Sequence, residues 1–173
     1  MSDIFDKVVG DQDWFTKIVA KIPGFKGYIN REERRTADKM LRECVANEFE
    51  NQYQRISSVQ RDLISQGGLA YIDDLEAAAI KLRQFIDRVR TASYGYAGLF
   101  DAIKIKEEEL AQVYQYDASL LALGADVARA IDNVEASIGT DGLPASIKHL
   151  VTVSQESLDA FNKRSDVMRG ITQ

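Results

Sequence analysis

The chain reads as an all-α protein: an antiparallel four-helix bundle, or an extended long-helix hairpin bundle, preceded by a short amphipathic N-terminal helix. Three observations predict this. Long tracts are rich in Ala, Leu, Glu, Gln, Lys and Arg, which favour helix. Only two prolines, Pro23 and Pro144, interrupt 173 residues. Apolar residues recur in steps of three and four, the spacing that lines one helix face, and no convincing strand pattern appears. Breaks at "PGFKGY" (23–28), Gly67–Gly68, "SYGYAG" (93–98) and "GTDGLP" (139–144) divide the chain into five helical tracts.

The first tract covers about residues 3–22. Projected at ~100° per residue, Trp14, Phe15, Ile18, Val19 and Ile22 fill one arc of about 140°, with Thr16, Lys17, Ala20 and Lys21 opposite. Asp11 can cap this part, and Ile4, Phe5, Val8 and Val9 extend an apolar face towards the N-terminus. The helix must end at Ile22, because the ring of Pro23 disfavours helical geometry in the residue before it. Gly24 and Gly27 give the following segment its freedom, and Phe25 and Tyr28 place aromatic rings on it. Residues 1–28 are therefore an amphipathic helix plus hinge, leading into a bundle over 29–173 within one domain. Three destinations are open to the leading helix: capping the bundle core, packing on a protein partner or second copy, or lying on a membrane surface. Trp14, Phe15, Ile18, Lys21, Ile22, Phe25 and Tyr28 would carry the contact with a partner or membrane. Aromatics beside Lys17 and Lys21 suit a lipid interface, whereas Asp3, Asp6, Asp11 and Asp13 oppose anionic lipid.

The second tract opens at Asn30, with Glu33 at capping-box spacing, and runs to about Gln66. Ala37, Leu41, Val45, Phe49, Ile56, Val59 and Leu63 form its seam. The third, about 69–91, carries Leu69, Ile72, Leu75, Ala79, Leu82, Ile86 and Val89. Its acidic start and basic end match the helix macrodipole. The fourth, about 99–138, has the most regular alternation, through Leu110, Val113, Asp117, Leu120, Gly124, Val127, Ile131, Val134 and Ile138, like a coiled-coil seam. The fifth, about 144–169, continues with Ile147, Val151, Ser154, Leu158, Phe161 and Met168. Pro144 suits its first turn. Short connections favour antiparallel neighbours. The second and fourth tracts look longer than the third and fifth, so the "SYGYAG" stretch is either a turn, giving the compact bundle, or a kink, giving the extended hairpin.

A formal net charge of -5 and a pI near 5.0 argue against binding a phosphate backbone, and no nucleic acid partner is expected. Cys44 is the single cysteine, which rules out an internal disulfide and a cysteine zinc framework. A reduced, buried thiol fits an intracellular compartment. Asp3 and Asp6 stand where a signal peptide carries positive charge, and no run approaches the ~18 apolar residues of a membrane span. The expected location is cytoplasmic, with peripheral membrane attachment through residues 1–28 as the variant.

Little in the chain points to catalysis. A ferritin-like di-metal bundle needs Glu-x-x-His on two helices, but His149 is the one histidine and Ser146 stands three residues before it. No calcium loop, zinc ligand set or P-loop spacing appears, so no metal or cofactor is expected. The carboxylates of "KIKEEEL" point ~100° apart and cannot converge on one atom. Asp117 is the conspicuous exception, a carboxylate on an apolar seam that must be paired or hydrogen-bonded if buried. Tyr114, Tyr116 or an arginine from another helix could supply the partner. Fixing helix register is the plain role for such a contact, and a pocket at Asp117 and Tyr114 is the functional one. The leading expectation is a non-enzymatic helical bundle acting through protein–protein contacts, as adaptor, scaffold or self-assembling subunit. A membrane-surface protein and a small-ligand binder or enzyme are the alternatives.

Overall fold

The last turn of the second helix shows how the chain reverses. In a computed structural model describing residues 13–27, 31–92 and 107–171, the Leu63 carbonyl accepts from the Gly68 amide at 2.8 Å and Ile64 from Gly67 at 3.2 Å. Gly67 sits at φ +80°, the left-handed geometry that closes a Schellman stop without a Cβ penalty. Five α-helices are present among the described residues: α1 (Asp13–Lys21), α2 (Arg31–Ser65), α3 (Ile72–Thr91), α4 (Glu107–Ser137) and α5 (Leu143–Ile171). A single 3-10 turn, Leu69–Tyr71, leads into α3, and no strand occurs among these residues. The all-α bundle with a short N-terminal helix is therefore the architecture. No described helix is long and apolar enough to cross a membrane.

α2 and α3 form one antiparallel hairpin: Gln60 meets Glu76 at 3.0 Å, and further along Glu50 meets Arg90 at 3.1 Å. α4 and α5 form the other, with the Ser137 and Ser146 hydroxyls 2.8 Å apart near its turn. The hairpins then pack side by side with parallel neighbours. Phe49 lies beside Gly124 and Arg55 reaches Asp132 at 2.6 Å, so α2 and α4 run together. Lys81 to Gln155 at 2.7 Å and Arg88 to Asn162 at 2.8 Å show the same for α3 and α5. Antiparallel packing thus holds within each hairpin. α3 and α4, consecutive in sequence, lie across the bundle diagonal, joined through residues 93–106. Those residues, and with them the turn-or-kink question at "SYGYAG", lie outside the described set, as does the Asn30 cap.

The seams pack as their spacing dictates. Leu41, Phe49, Ile56, Leu75, Leu82, Ile86, Val127, Ile131 and Val134 are fully buried. At mid-bundle the Phe49 and Phe85 rings have centroids 4.0 Å apart, and Phe85 meets Phe161 edge-on at 5.8 Å. Gly124 faces them from α4, where an added Cβ would stand 2.9 Å from Glu48 Cγ and 3.5 Å from Phe49. It permits close approach of α2 and α4, because a larger residue would push into α2. One detail differs from the sequence reading. Leu69 is exposed, since the 3-10 turn rotates it off the α3 seam. α2 and α4, with 35 and 31 described residues, are longer than α3 and α5, with 20 and 29.

Candidate functional site

The side chains that stand out form two adjoining structures, a groove filled by α1 and a buried charge layer beneath it. The groove runs between the parallel helices α2 and α4. α1 lies against α4 and inserts Ile18, and the turn after it inserts Ile22 and Phe25, each at most 4% exposed. The chain then turns back, with the Phe25 amide donating to Ile22 O at 3.1 Å and with Gly24 at φ +82° and Gly27 at φ +84°. Phe15 is half-buried and packs edge-on against Tyr114 at 5.8 Å, and it tilts against Phe25 at 6.4 Å. Val19, at the edge of the apolar arc, remains 40% exposed. Lys21 extends its ammonium to Leu121 O at 3.4 Å, while its own carbonyl faces the Cys44 thiol at 4.0 Å. The side chain of Trp14 and the whole of Tyr28 lie outside the described residues. Of the three destinations open to the leading helix, Ile18, Ile22 and Phe25 occupy the bundle core.

Beside the end of α1 a cavity of about 200 Å³ remains, lined by Lys21, Cys44, Val45, Glu48, Phe49, Leu120 and Leu121. Burial pushes the Cys44 thiol above its ordinary value; Lys21 opposes this and Glu48 reinforces it. At neutral pH this sulfur is a thiol, a weak nucleophile.

The charge layer explains Asp117. Its carboxylate, fully buried, accepts from Arg164 Nε at 2.7 Å, and Arg164 Nη2 donates to Asp38 at 3.0 Å. The other oxygen of Asp38 accepts from Arg42 Nε at 2.7 Å, and Arg42 Nη1 reaches Val89 O at 3.3 Å near the C-terminus of α3. Two carboxylates and two guanidiniums so arranged sum to zero charge and touch all four long helices. Such a chain of charge-assisted bonds is tolerable in the interior because each ion has an opposite partner at hydrogen-bond distance. Arg34 lies one turn before Asp38 on α2; burial pulls its guanidinium below its ordinary value, and Tyr114 acts in the opposite sense.

Tyr114 links the two structures. It is fully buried, one turn before Asp117, with Phe15 of α1 on its edge. An arginine from α5 is thus a partner of Asp117, and Tyr114 stands between charge layer and groove. The charge layer ties helices together.

Arg164 and Asp38 were not singled out in the sequence, yet faint signals exist. The α5 seam steps from Phe161 to Met168, and Arg164 fills the gap at a seam position. Arg34, Asp38 and Arg42 recur every four residues along one stripe of α2. Among the described residues no group of three or more His, Cys, Asp or Glu side chains is placed to hold a metal ion. Comparison of the chain with protein-family models, with curated proteins and with solved structures yields no match.

Proposed function

We propose that the protein works through protein–protein contact, as a helical scaffold or self-assembling subunit whose α2–α4 groove accepts an amphipathic helix. One observation carries this reading: a short helix, separated from the bundle by a glycine hinge, is seated in that groove by Ile18, Ile22 and Phe25. Ile18 anchors the helix itself, and Ile22 and Phe25 anchor the turn that follows it. Nine residues of α1, Asp13–Lys21, are described. Three buried apolar side chains contribute very roughly 5–8 kcal/mol before ordering costs. That corresponds to binding in the tens of micromolar or weaker for the same segment in trans.

The test uses the full chain with Ile18→Asp, which removes the anchor on the helix and opens the groove. A fluorescent peptide of residues 11–27 should then bind saturably, and the same peptide with Ile22→Asp should not. Absence of saturable binding by the unmodified peptide would refute the groove as a helix acceptor.

A further inference from the structure

We infer that the cavity beside the end of α1 is a binding site for a free apolar amino acid. The ligand's ammonium and carboxylate sit at the mouth and its side chain on the floor. The inference is separate from the helix-acceptor reading, because it concerns the space left over once α1 is seated. Three helices enclose that space: Lys21 comes from α1, Cys44, Val45, Glu48 and Phe49 from α2, and Leu120 and Leu121 from α4.

Val45, Phe49, Leu120 and Leu121 are buried and make the floor apolar. A void of about 150 Å³ with such a lining takes up benzene. At about 200 Å³ this cavity has room for one aliphatic or aromatic side chain. It falls short of the roughly 300–1,000 Å³ of pockets that hold drug-sized molecules, so the ligand is small.

Two opposite charges share the mouth without satisfying each other. Lys21 is exposed, and its ammonium reaches Leu121 O at 3.4 Å, which leaves donors for an oxyanion. Glu48 is half-buried, and its Oε1 accepts from Gln52 Nε2 at 3.2 Å, while Oε2 has no hydrogen-bond partner among the described residues. Both charges act on the Cys44 thiol, in opposite senses, as two ions on one small void should. Gly124 helps to place the carboxylate: an added Cβ would stand 2.9 Å from Glu48 Cγ, so its absence lets the Glu48 stem lie against α4.

A zwitterion with an apolar side chain answers all three features. Its carboxylate pairs with Lys21 and its ammonium with Glu48, both as charge-assisted hydrogen bonds, and its side chain covers the floor. A fatty acid or an alkylamine satisfies only one of the two ions.

Cys44 supplies a reporter, since it is the one thiol of the chain and lines the cavity. Full-length protein is treated with iodoacetamide at mildly alkaline pH, with and without L-leucine, and Cys44 modification is followed by mass spectrometry. Saturating L-leucine should slow the reaction about tenfold, because the filled cavity closes access to the sulfur. Isocaproate, which lacks the amine, and isoamylamine, which lacks the carboxylate, should each need about tenfold to a hundredfold higher concentration. Glycine consumes the reagent like any amine but has no apolar group, and it should not protect. Glu48→Gln should remove the advantage of L-leucine over isocaproate, and Lys21→Met its advantage over isoamylamine. Absence of protection by L-leucine overturns the proposal, and so does protection by isocaproate or isoamylamine at the same concentration. Both results are read on the wild-type chain, so a variant that fails to fold leaves the test decisive.

Discussion

Ile18, Ile22 and Phe25 attach α1 through apolar surface, whereas Asp38, Arg42, Asp117 and Arg164 tie the other four helices through paired ions. The two attachments are one turn apart on α4, at Tyr114 and Asp117, yet they fail differently. Apolar contact is non-directional, and the side chains of Ile18, Ile22 and Phe25 carry no charge. The ion layer is directional and tolerates no slip, because moving one helix by a turn would leave a buried carboxylate or guanidinium without its counter-ion. A bundle built this way joins a body held by directional ion pairs to an arm held by apolar contact.

Breaking the fixed body should have the largest effect. Arg164→Met removes the ion shared by Asp38 and Asp117 and should destabilise the protein by about 3–5 kcal/mol, read from urea unfolding. Stability close to wild type would mean that the layer relaxes or hydrates. Ile18→Asp attacks the arm instead, and its cost is limited to the docking energy, on the order of 1–2 kcal/mol. Hydrogen exchange should show amides of 13–22 losing protection while α2 to α5 keep theirs. Uniform loss would show that α1 and the bundle unfold as one unit.

The thiol under α1 sharpens the same contrast. Cys44 holds its proton more tightly in the folded chain than in the unfolded one. Its contribution to stability is therefore present below the ordinary thiol range and lost as pH rises through the raised value. Alkylation of native Cys44 should lag behind that of the unfolded chain at mildly alkaline pH, and Ile18→Asp should speed it by freeing α1. An unchanged rate would place the burial elsewhere. The smallest effect belongs to Gly124→Ala. Alanine favours helix by up to about 1 kcal/mol, but its Cβ would meet Glu48 Cγ at 2.9 Å. The two terms oppose, and a net loss of about 1 kcal/mol or less is expected from thermal unfolding.

Much of this architecture was legible in the chain because helical spacing encodes which face is buried. The seams of α2 and α4 are buried nearly residue for residue, and the stop of the leading helix at Ile22 follows from Pro23. Leu69 misled, being spaced for the α3 seam but placed in a 3-10 turn, where the period of three rotates it outward. Asp117 announced a buried contact but not its partner, since nothing local says that α5 delivers Arg164 from 47 positions away. The pairing of hairpins in parallel was equally hidden. Seam periodicity fixes which face of a helix is covered, and leaves open which neighbour covers it.

That pairing has a consequence for how the polypeptide could be divided. Each hairpin is contiguous in the chain and closes on its own short turn, and the two are joined only through residues 93–106. Arg164 to Asp38, and Arg55 to Asp132 and Glu135, run from one hairpin to the other. Two polypeptides separated within 93–106 would each carry one half of this pairing code, unlike halves satisfying each other's ions where like halves would not. Co-expressed, they should therefore complement one another as a one-to-one heterodimer, with the carboxylate–guanidinium match selecting the mate.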